Sequence, residues 1–191
     1  MTAESFGSLD CEGAFSEAKA LFTKVRDIPY VLGLDGNPNK LLSEYKGNCT
    51  RKHLYLANKL IPLGYKVSLG VATFDWKELP IPNRITNLLK DSIDTHLFLY
   101  VALNGLENVV DATWDSQMPE GFIKNNWNGE NSVPICVPVK NTWRENVNIF
   151  QTKALVGQLL RIIRNGFESK KPTPFNDAFN EWLERGRQER F

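Results

Sequence analysis

The sequence predicts an α+β domain built on a small antiparallel sheet. Three observations carry that expectation. Helix-spaced apolar residues open and close the chain, β-branched and aromatic runs cluster in its middle, and an Asn-Gly pair joins two of those runs. At 191 residues, 42% of them apolar, the chain suits a single domain over 1–191 with a proper core.

In "GAFSEAKALFTKVRDI" the apolar residues fall at 14, 15, 18, 21, 22 and 25, the spacing of a core-facing helix. "GLDGNPNK" then breaks structure with two glycines, a proline and turn-forming Asn and Asp. A second helix is expected from Asn48, a favoured N-cap, through Leu54, Ala57, Leu60 and Ile61 until Pro62 and Gly64 end it. "KVSLGVATF" reads as a strand, and the proline-bearing insert at 75–92 as a loop with a short helix. "THLFLYVAL" and "ENVVDATW" read as a hairpin turned by "NG". From Trp114 to about Arg144 the chain is rich in Gly, Asn and Pro, which predicts an irregular segment with an extended piece at "VPICVPV". Over 145–191 two helices should close the chain. One is "FQTKALVGQLLRIIRN"; the other follows Thr173-Pro174 and buries Phe175, Phe179, Trp182 and Leu183.

Composition excludes several classes. A formal net charge of +1 argues against a nucleic-acid binder, and the basic "RGRQER" alternates with acids as a solvated helix face would. No apolar run approaches the roughly 20 residues that span a bilayer, and the opening residues do not form a secretory signal. Three cysteines without such a signal point to free thiols in a reducing, cytoplasmic setting. With no CxxC pair, two lone histidines and no oxygen-rich calcium loop, neither a metal nor a cofactor is expected.

Cys49 is the residue that needs explaining. At a helix start it sits where orphan N–H groups and the macrodipole favour negative charge, and the thiolate is the nucleophilic form of cysteine. The plainer alternative is a small buried filler. A nucleophilic thiol needs a base, and only two histidines exist. His53 lies four residues on, in the first turns, where a helix disfavours a cation; it reads as a packing or surface residue. His96 shares a strand face with Phe98 and Tyr100. If Asn104-Gly105 is a two-residue turn, counting back from Leu103 opposite Leu106 puts Asp111 opposite Phe98, on the face of His96. Such a pair could equally be two solvated residues on one strand face. Cys11 and Cys136 lack a motif and read as structural, and Trp114 as a core wall beside the hairpin.

Taken in order, Gly-x-Cys opening a helix, "LIPLGY" leading into a strand, a histidine on the next strand and "DATW" beyond it resemble the transglutaminase-like branch of the papain-like cysteine enzymes, over about residues 14–115. The resemblance implies a nucleophile helix packed on a small antiparallel sheet, with extra C-terminal helices. It further implies a Cys49–His96–Asp111 triad acting on amide or peptide bonds of a peptide, protein or small amide, by hydrolysis or by transfer to an amine. It carries Cys49 over as nucleophile, His96 as general base and acid, and Asp111 as the residue orienting His96. The chain departs from the family in carrying Arg51, Lys52 and His53 after the cysteine, and Phe98 and Tyr100 after the histidine. No tryptophan precedes Trp76, so the family's upstream oxyanion donor has no counterpart and the second donor beside the Cys49 N–H is left open. A fold of this type kept as a binding module without turnover is the alternative the same departures allow.

Overall fold

The structure is a computed structural model, and it describes residues 11–148, 150 and 173–189. It is a mixed α+β fold in which five α-helices can be bounded among the described residues, with a four-stranded sheet, antiparallel throughout, in the order β3-β2-β1-β4. The helices are α1 (Cys11–Arg26), α2 (Lys40–Glu44), α3 (Cys49–Leu60), α4 (Asn83–Thr86) and α5 (Pro174–Gln188). The strands are β1 (Lys66–Asp75), β2 (Ile93–Leu103), β3 (Leu106–Val110) and β4 (Asn141–Glu145).

The hairpin forms in the register its sequence requires. Asn104 and Gly105 both take positive φ, 54° and 83°, the mark of a two-residue type I′ turn, and Leu103 pairs with Leu106. β2 pairs along its length with β1, from Lys66 opposite Ala102 to Asp75 opposite Ile93. Where Phe98 crosses Gly70, the ring lies so close that a Cβ there would fall 2.3 Å from it, so only glycine fits the crossing.

Alternation along the strands sorts two cores. Leu69, Val71, Leu97, Leu99, Val101 and Val110 bury against Ala18, Phe22 and Val25 of α1 and Leu54, Ala57 and Leu60 of α3. A second core joins Tyr30, Phe74, Trp76, Trp114, Phe122 and Cys136 to Phe175, Phe179 and Leu183 of α5. The insert after β1 therefore contributes to packing through Trp76, Leu79, Ile81 and Ile85.

Three expectations need correcting. β3 stops at Val110 instead of running through "DATW", because side chains claim the next amides: His53 Nε2 accepts from Ala112 and Asp111 Oδ1 accepts from Thr113. "VPICVPV" joins no ladder, since Pro134 and Pro138 lack an N–H; the fourth strand forms just after it, at Asn141–Glu145. The break segment is irregular through Asn39, as its residues require, and α2 follows from Lys40 with Leu41 fully buried. "RGRQER" is not a wholly solvated face: Arg187 is buried on Asp115, while Arg185 stays outside with Glu181. Trp182 is half-buried at the rim of the second core. Of the helix expected over 150–165 only Phe150 is described, helical and packed on the first core; the rest lies outside the described residues, as does the Cys11 side chain.

Candidate active site

Cys49 is the first residue of α3. Asn48 is its N-cap, extended at φ −96° and ψ 179°, with its side-chain oxygen accepting from Arg51 N–H at 2.9 Å. The same amide side chain donates to Leu34 O at 3.0 Å, so the cap is tied to the preceding loop. The first-turn N–H groups of Cys49 and Thr50 have no helical acceptor and point out of the helix start. Gly47 leaves room for the turn, because a Cβ there would meet Leu41 at 2.5 Å. Cys49 itself is partly exposed, its sulfur 4.0 Å from the Thr50 hydroxyl.

Asp111 and His96 meet as the strand parity requires. His96 Nε2 lies 2.7 Å from Asp111 Oδ2, and both side chains are buried. Asp111 also accepts from Thr113 Oγ1 at 2.6 Å, Thr113 N at 3.1 Å and Cys136 N at 2.8 Å. Burial alone would raise its pKa, but the charge and hydrogen bond of His96, with His53 and Thr113, hold the carboxyl well below the usual range. On His96, burial pulls the pKa down. The Asp111 charge and hydrogen bond, together with a hydrogen bond to the Cys49 thiol, more than offset it and raise the ring to about 10. The proton of the pair thus sits on imidazole. With Nε2 donating to Asp111, Nδ1 is the nitrogen left for sulfur.

His53 is neither a surface residue nor a base. It is fully buried, and burial lowers its pKa to about 4 despite the nearby Asp111 charge. The neutral ring donates from Nδ1 to Cys49 O at 2.8 Å and accepts Ala112 N–H on Nε2 at 2.9 Å. Its 3.5 Å approach to Asp111 Oδ1 is therefore no ion pair. One imidazole clamps the start of α3 at Cys49 to the segment that carries Asp111.

The residues flanking Cys49 are likewise spent on positioning. Arg51, 2% exposed, binds Asp35 Oδ1 at 2.7 Å and Glu44 Oε2 at 2.6 Å, fastening α2 and its loop to the start of α3. Lys52 is fully buried without a carboxylate in contact. It donates to Arg26 O at 2.8 Å and Thr113 O at 2.9 Å, and burial lowers its pKa to about 7.

Several supporting residues carried no sequence signal. Cys136 N–H braces Asp111, and Asn125 Nδ2 donates to Asp111 O at 2.9 Å and Pro134 O at 2.8 Å. Burial, then the Asp111 charge, push the Cys136 thiol well above the ordinary range, so this second cysteine is a protonated spectator. Asp115 accepts from Tyr30 N at 2.8 Å and Arg187 Nη2 at 2.7 Å, joining α5 to the site. A cleft of about 660 Å³ opens between Leu32, Trp76, Leu89, Ile93, Asp94 and Phe175; Cys49, His96 and Asp111 do not line it.

Among the described residues no group of His, Cys, Asp and Glu could hold a metal ion, and no helix is long and apolar enough to cross a membrane. No protein-family model matches the sequence, and no curated protein matches it either.

Proposed function

We propose that this protein is a cysteine acyl-transfer enzyme of the transglutaminase-like kind, working on amide or peptide bonds in a reducing compartment. The observation that carries this reading is the buried His96–Asp111 pair with the Cys49 thiol as the ring's other partner. An imidazolium beside a thiolate is the activated form of such a nucleophile, and the carboxylate steadies the ring in one orientation.

In the proposed cycle the Cys49 sulfur attacks the substrate carbonyl, and the C=O electron pair moves onto oxygen. The imidazolium of His96 gives its Nδ1 proton to the leaving amine as the C–N bond breaks, leaving a thioester and a neutral ring. Water or a second amine then attacks the thioester, passing a proton to His96, and the thiolate leaves. Asp111 remains ionised throughout, as its four hydrogen-bond donors favour.

Exposure to p-nitrophenyl acetate, followed by intact-mass and peptide mass spectrometry, tests the reading. The expected result is one acetyl group on Cys49, absent from Cys49→Ala. Acetylation that is absent from the wild type, or equal in the two proteins, contradicts it.

A further inference from the structure

A thiol that attacks a carbonyl leaves negative charge on oxygen, and one backbone N–H at the head of α3 is a thin provision for it. The side chains around the site offer few uncommitted donors. The indole N–H of Trp76 is bound to Asp94 Oδ2 at 3.0 Å, and that of Trp114 to Cys136 O at 2.9 Å. The amides of Asn48 and Asn125 are bound to backbone carbonyls. The Thr50 hydroxyl faces the sulfur itself.

Tyr30 is different. Its backbone forms a parallel bridge to Gly47, with Gly47 N donating to Pro29 O at 3.1 Å and Val31 N to Gly47 O at 3.0 Å. That places it beside the strand entering Cys49. Asp115 holds its N–H and Arg187 its carbonyl, at 2.8 and 3.2 Å. Its ring is wedged edge-on against Trp114, with centroids 4.5 Å apart, and against Phe179 at 6.4 Å. The side chain is buried, 3% exposed, and Cys49, Asp94 and Asp111 are the charged groups that act on its phenol. Among the described residues its hydroxyl makes no side-chain hydrogen bond, so a rigidly braced phenol beside the loop that enters Cys49 is available to donate to a group that arrives later.

We infer that the Tyr30 hydroxyl is the side-chain donor to the oxyanion formed when Cys49 attacks a carbonyl, acting with the Cys49 N–H. Burial, with the nearby Cys49, Asp94 and Asp111 charges, keeps the phenol protonated far into the alkaline range, as a donor must be. The step balances without a further reagent. The sulfur pair forms the S–C bond, and the π pair moves to oxygen and is held by the phenol O–H. Collapse then returns it to C=O and expels the leaving group.

The inference rests on the proposed acyl transfer, and one comparison separates the two. Acetylation by p-nitrophenyl acetate passes through an oxyanion; alkylation by iodoacetamide displaces iodide at a saturated carbon and does not. Tyr30→Phe should slow Cys49 acetylation by about 10²-fold while leaving alkylation within about twofold. 3-Fluorotyrosine placed at position 30, which keeps the donor and the shape, should acetylate at least as fast as the wild type. Unchanged acetylation in Tyr30→Phe overturns the inference, and so does an equal fall in acetylation and alkylation. It is equally overturned if Thr50→Val, rather than Tyr30→Phe, separates the two rates. A wild type that no ester acetylates, while Cys49 still alkylates, instead removes the acyl-transfer reading on which the inference depends.

Discussion

His53 accepts the backbone N–H of Ala112 at 2.9 Å across 59 positions of sequence, while its other nitrogen donates to the carbonyl of Cys49. This ring fixes the distance between the helix that begins with the thiol and the turn that follows Asp111. Its neutrality is part of the design, because only a neutral imidazole can accept on Nε2.

Replacing His53 by Leu should leave two buried backbone groups unpaired and cost about 3 kcal/mol, read as a lower denaturation midpoint. The pH dependence has a definite sign. The folded pKa of about 4 lies below the unfolded value near 6.5, so the unfolded chain takes up a proton that the folded one refuses. Wild-type stability should therefore fall as pH drops through that window, by at most about 1.4 kcal/mol per unit from this group. In His53→Leu that component should vanish.

Lys52 and His96 make opposite contributions over nearly the same alkaline window. His96 is raised to about 10, so its stabilisation is complete below about 6.5 and lost as pH climbs through the folded value. Lys52 is lowered to about 7, so the unfolded chain binds the extra proton and stability rises with pH toward 10.5. The two slopes offset each other in the wild type. Lys52→Met should be less stable at neutral pH, with two carbonyls orphaned, and its stability should decline steadily between about pH 7 and 10. Chemical denaturation across that range measures it.

Arg187 joins α5 to the segment after Asp111 through Asp115, whose carboxylate also accepts from the Tyr30 and Gln117 N–H groups. Arg187→Met should cost about 3–5 kcal/mol, because it strands a buried carboxylate. Removing both charges in Arg187→Met/Asp115→Leu should cost less than the sum of the single changes. A double-mutant cycle on unfolding free energies reads that coupling directly.

What the sequence made legible was local or periodic. The Asn104-Gly105 turn fixed the register of β2 on β3, and parity then put Asp111 on the face of His96. Asn48 announced the start of α3, and the apolar spacing of α1 and α3 marked the faces they bury. The bracing around Asp111 and Cys49 was invisible, because each partner comes from irregular chain with no period to read. Cys136 and Asn125 reach Asp111 from a Gly- and Pro-rich segment, and Tyr30 reaches the loop before Cys49 through a single bridge. Arg187 read as part of a solvated face, and His53 as a packing or surface residue. Lys52, His53 and Arg187 are buried because backbone groups and a carboxylate far along the chain satisfy them.

The dependence of Cys49 reactivity on His96 is the most direct measurement of the central claim. Iodoacetamide alkylation of the wild type and of His96→Ala, followed at neutral pH, should give different curves of modification against time. The wild type is expected to alkylate faster, because His96 is the imidazole that serves the sulfur, and His96→Ala more slowly. Superimposable curves for the two proteins would contradict the account.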